Sequence, residues 1–69
     1  MRTHLIVTTA AGRMYQGRNE DLTEKQMEQL TKFIQDIRSL KSFSLRLNDN
    51  RKAFFNPKHI AVIEIVTEP

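Results

Sequence analysis

The chain has no cysteine and no tryptophan, only two glycines and two prolines, and no apolar run approaching the roughly 20 residues that a membrane helix needs. Without cysteine there is no disulfide framework, no thiolate nucleophile and no zinc ribbon. The two glycines, Gly12 and Gly17, are not followed by a lysine-plus-hydroxyl pair, so a glycine-rich phosphate loop is excluded. Met1-Arg2-Thr3-His4 leads into only three consecutive apolar residues, Leu5–Val7, which is too short for a signal-peptide core. The expected setting is the cytoplasm, with no membrane contact.

Catalytic chemistry is equally sparse. Nucleophilic catalysis needs a nucleophile, a base and an orienting group, and the only histidines, His4 and His59, sit in no motif that supplies them. Asn48-Asp49-Asn50 matches the opening of a calcium loop for three residues, but neither the glycine nor the closing glutamate follows. No cofactor and no metal are expected, and the expected class is non-enzymatic.

What remains is enough for one small domain over residues 1–69, with 39% apolar and 28% charged residues. A core of this size is marginal, so association with a second copy would help it.

The longest periodicity is helical. Met27, Leu30, Ile34 and Ile37 follow one another at spacings of three, four and three, widened by Phe33 and Leu40. Thr23 is placed to cap this helix, Gln26 to close a capping box, and Leu22 to staple onto Met27, which predicts a helix from Glu24 to about Leu40. Before it, His4–Thr9 is rich in β-branched residues and Met14-Tyr15-Gln16 returns after Gly12, a predicted hairpin. After it, Phe43, Leu45 and Leu47 alternate with polar residues, Asn48-Asp49-Asn50 turns the chain, and Lys52–Phe55 pairs back. Asn56-Pro57 predicts a further turn, and Ile60–Val66 is apolar on both faces, which predicts a central or covered strand. The expected fold is α+β, in the order ββαβββ, with one amphipathic helix packed on a mainly antiparallel sheet.

Charge alternates by segment. Residues 1–18 carry three arginines and no acid, residues 19–37 five acids and two lysines, and residues 38–59 six bases against Asp49 alone. Arg46, Arg51, Lys52 and Lys58 are therefore candidate contacts for nucleic-acid phosphates. Phe54 and Phe55 are adjacent, so in a strand only one can enter the core with Phe43 and Leu45. The other, together with Ile60, Val62 and Val66 of the closing strand, forms a candidate subunit interface.

Leu47-Asn48, then Phe55-Asn56-Pro57-Lys58-His59-Ile60, then Ile63-Glu64 form a hairpin, an FNPxxI corner and a closing IE strand. This pattern resembles the small flagellar-operon proteins of the FlbD family, and the layout is similar to short accessory proteins of phages and mobile elements. The resemblance implies a small regulatory or accessory role and carries over no site residue. The leading expectation is a self-associating interaction module, a homodimer that binds a protein partner. The alternative is a nucleic-acid-binding module using the basic hairpin faces.

Overall fold

Strand β1 (Arg2–Thr9) runs through the middle of the main sheet. The structure, a computed structural model, describes residues 1–68. Thr3, Leu5 and Val7 turn to the inner face, and two of them, Thr3 and Val7, are buried. One edge of β1 pairs antiparallel with β2 (Met14–Gln16) and β3 (Glu20–Asp21), and the other edge with β6 (Ile60–Glu68). The β1–β2 turn closes with Thr9 N–H donating to Arg13 at 2.9 Å, and Gly12 takes φ +89°, a conformation that favours glycine.

A second, two-stranded sheet, β4 (Phe43–Arg46) with β5 (Lys52–Phe55), joins the first where Gly17 bridges Leu47 and the Arg18 N–H donates to the Arg46 carbonyl at 3.0 Å. Asp49 and Asn50 both hold positive φ in its turn, as short polar residues tolerate. Asn56 caps the following 3-10 turn through the Lys58 amide, and Pro57 is buried there.

Helix α1 (Glu24–Gln35) starts at the expected cap. Thr23 accepts from the Gln26 N–H at 3.2 Å, and the Gln26 side chain accepts from the Thr23 N–H at 2.9 Å. The N-terminal ammonium donates to Asp21 at 2.9 Å, and this hydrogen bond and charge hold the Asp21 carboxyl below its ordinary pKa.

The fold is α+β with one helix and a mainly antiparallel sheet, in the order β-β-β-α-β-β-β. Three expectations change in detail. The added strand, β3, has only charged side chains and no apolar alternation; backbone pairing with Arg2 and Thr3 makes it. The helix ends at Gln35 and tightens into a 3-10 turn over Ile37–Ser39, which carries Ile37 into the core while no residue of α1 itself is buried. The closing strand is not central: β1 is, and β6 pairs only with β1 among the described residues.

The core comprises Val7, Ile37, Phe43, Leu45, Leu47 and Ile60. Four aromatic rings tie the layers together in a chain: Phe33 of α1 lies 5.9 Å from Phe43, Phe43 lies 5.9 Å from Phe55, and Phe55 meets Tyr15 edge-on at 5.1 Å. Ile37→Ala should cost about 2–5 kcal/mol, and Ile34→Ala less because Ile34 is only half-buried. Urea denaturation ranks the two, and an equal or larger loss from Ile34 would place the helix deeper than described. Gly17→Ala should cost about 1–3 kcal/mol, since an added Cβ would lie 2.8 Å from the buried Leu45 side chain. An unchanged denaturation midpoint would show that Leu45 gives way freely.

Candidate functional site

Two outward surfaces carry most of the candidate residues. The first lies on the outer side of β1 and β6. Register places Thr8 beside Val62, Ile6 beside Glu64 and His4 beside Val66, and β2 adds Met14 next to Thr8. Directly paired residues share a face of an antiparallel ladder, so Ile6, Met14, Val62 and Val66 lie on the side opposite the core, interleaved with His4, Thr8, Gln16 and Glu64. Met14 is 67% and Val62 49% exposed.

The edge of β6 is defined by the same register. The Leu5 carbonyl accepts from Gly17 and the Thr9 N–H donates to Arg13, so the odd residues of β1 turn their backbone groups towards β2. The even residues therefore bond to Val62, Glu64 and Val66 of β6. Alternation then directs the N–H and C=O groups of Ile63, Ile65 and Thr67 to the edge away from β1, where no strand is paired among the described residues.

The second surface is the outer face of the β4–β5 hairpin. Phe43, Leu45 and Leu47 point inward, so Ser44 and Arg46 point outward, opposite Phe54 and Lys52. The bridge between Gly17 and Leu47 places Arg18 beside Arg46 on that side. Arg18, Arg46 and Lys52 thus form one cationic row across three neighbouring strand segments. These three residues, with Asn50 and Arg51, line a cleft of about 220 Å³. The nearest compensation is the contact of Arg18 with Glu20 at 3.9 Å; Arg46, Arg51 and Lys52 enter no ion pair among the described residues. Like charges placed directly opposite one another oppose sheet pairing.

Phe54 stands beside this row and is 73% exposed. The Lys52 ammonium lies 5.6 Å from its ring centre. It is the one aromatic side chain outside the chain of packed rings.

The candidate residues from the sequence thus separate. Ile60 is withdrawn from the interface because it is 7% exposed and part of the core, and Phe55 is half-buried against Phe43 and Tyr15. Val62 and Val66 share the outer sheet face, whereas Phe54 lies on the hairpin. Arg46, Arg51 and Lys52 come together; Lys58, in the 3-10 turn, does not line their cleft. Arg18 is the member that sequence reasoning missed, because only the long-range Gly17–Leu47 bridge brings it to Arg46. Ile6 and Met14 were missed likewise, since β1 was not recognised as the strand between β2 and β6.

No family model, curated protein or solved structure matches this chain. Among the described residues no three His, Cys, Asp or Glu side chains cluster as a metal site, and no helix is long and apolar enough to cross a membrane.

Lys52→Glu converts the like-charged pair with Arg46 into an opposite-charged one, and should stabilise the domain by about 0.5–1 kcal/mol at low salt. Thermal melts of the two chains at low and high salt check this. A melt unaffected by the substitution would mean that Arg46 and Lys52 do not oppose each other.

Proposed function

We propose that this domain is a non-enzymatic interaction module of the small bacterial or phage type, working as a homodimer formed edge to edge through β6. The observation that carries this reading is the free edge of β6, whose outward backbone groups at Ile63, Ile65 and Thr67 adjoin the apolar face of Ile6, Met14, Val62 and Val66. Edge strands of soluble proteins are usually shortened, bulged or guarded by lysine and proline. Here the nine-residue strand contains no lysine or proline, its only charges are Glu64 and Glu68, and its register shift lies at the Ile60 end, away from Ile63–Glu68.

A second copy is the partner that this edge suits. Antiparallel pairing about Ile65 joins Ile63 of one copy to Thr67 of the other and continues the sheet through a two-fold axis. That register sets Glu64 opposite Val66, with no carboxylate directly opposite another. Centring the pair on Glu64 would instead oppose two carboxylates, which disfavours it. In this register each outer valine stands directly opposite a glutamate of the other copy, Val66 opposite Glu64 and Val62 opposite Glu68, and the valines of the two copies meet only on the diagonal.

Sedimentation equilibrium at micromolar concentration should report twice the 8.1 kDa chain mass. Val62→Asp should shift the equilibrium to monomer without unfolding the domain. Thr67→Pro should do the same by removing an outward N–H while leaving the bonds to β1 in place. An 8.1 kDa species throughout the range would overturn the homodimer.

A further inference from the structure

We infer that the outer face of the β4–β5 hairpin is a binding site for single-stranded nucleic acid, with Arg18, Arg46 and Lys52 on the phosphates, Arg51 at the end of their cleft, and Phe54 stacking on a base. This site is separate from the β6 edge and does not depend on dimer formation.

The charge layout of this face opposes stability. Arg46 and Lys52 face each other across the hairpin, Arg18 extends the row, and the cleft they share with Arg51 contains no acid. With neighbouring strands about 4.8 Å apart, the row spans about 10 Å and its potentials add. A polyanion relieves the repulsion and releases its own counterions, so both effects favour binding. A solvated basic surface would relieve the same repulsion by spreading its charges or interleaving acids, as the Arg18–Glu20 contact does at one end only.

Phe54 then selects the ligand class. It lies two residues along β5 from Lys52 on the same outward face, about 7 Å away along the strand, so a phosphate in the row has its own base within reach of the ring. The side chain contributes nothing to the aromatic core, which Phe55 completes from the opposite face. Stacking on an aromatic ring requires an unstacked base, which a single strand offers and a duplex does not. Lys52, now over the ring, is positioned to exchange that contact for a phosphate as a base takes its place. An acidic peptide could neutralise the row but would make no comparable use of an exposed flat ring.

The test is fluorescence anisotropy of a labelled short oligothymidylate and of a duplex of equal length, titrated with the full chain between about 50 and 200 mM salt. The expected result is tighter binding of the single strand. Phe54→Ala should weaken it roughly 5- to 100-fold while Phe54→Tyr retains it. Arg46→Gln and Lys52→Gln should each lower the salt slope by about 0.7. Circular dichroism and sedimentation of Phe54→Ala should match the unsubstituted chain, which separates this site from the dimer contact. No binding at the lowest salt would overturn the inference. So would equal binding of duplex and single strand with no effect of Phe54→Ala, which would mark general attraction to a polyanion. A Phe54→Ala chain that changes its oligomeric state and keeps its oligonucleotide affinity would make the ring a subunit contact and overturn it as well.

Discussion

Everything in this domain is referred to the backbone register of β1. Its odd residues bond to β2 and its even residues to β6, and its side chains alternate in step with them between core and outer face. Because the period is two, a one-residue slip would bring Ile6 and Thr8 inward and expel Val7, the only fully enclosed aliphatic side chain of the core. The hairpin docks through the same strand: Gly17 donates to Leu5 and bridges Leu47 at a point where a Cβ would lie 2.8 Å from the Leu45 side chain. Helix α1 is a lighter addition, fixed by its capping box, by the Met27 sulfur near Thr3 and by Phe33 on Phe43, with no buried residue of its own.

One consequence is an uneven division of surface. A 69-residue chain has one helix to cover two sheet faces, and that helix lies on the inner one. The outer face keeps Ile6, Met14, Val62 and Val66, and the edge beside it keeps three sets of backbone groups turned to solvent. On the hairpin the outward alternation collects cations and one phenylalanine. The two surfaces differ in chemistry, one apolar and hydrogen-bonding, the other cationic and aromatic, so they suit different partners. A dimer formed through β6 would retain both hairpin faces.

Local signals were legible in the sequence where a short segment decides its own conformation. Thr23 with Gln26, Asn48-Asp49-Asn50 and Asn56-Pro57 each specify a cap or turn through side-chain bonds or φ preference, and each stands as read. Long-range placement was not legible. Glu20-Asp21 forms a strand only because Arg2 and Thr3 lie alongside it. Ile60–Val66 is as apolar as a central strand, yet lies at the edge. Helical spacing carried Ile37 and Leu40 into one stripe with Ile34, although the chain tightens after Asp36 and Ile37 reaches the core from a 3-10 turn. For the candidate site, three of the four basic residues could be named from charge alone, while Arg18 required the bridge between distant segments. Alternation established that Phe54 and Phe55 part company, but only packing against Tyr15 and Phe43 decides which one faces water.

Strand β6 is bonded to β1 on one side, and its other edge is the one proposed to meet a second copy. Residue-resolved amide hydrogen exchange, measured on dilute and concentrated protein, tests it most directly. Val62, Glu64 and Val66 should be protected at every concentration, whereas Ile63, Ile65 and Thr67 should exchange rapidly when dilute and gain protection when concentrated. Equal protection of both sets in dilute solution, or fast exchange of Ile63, Ile65 and Thr67 at every concentration, would contradict it.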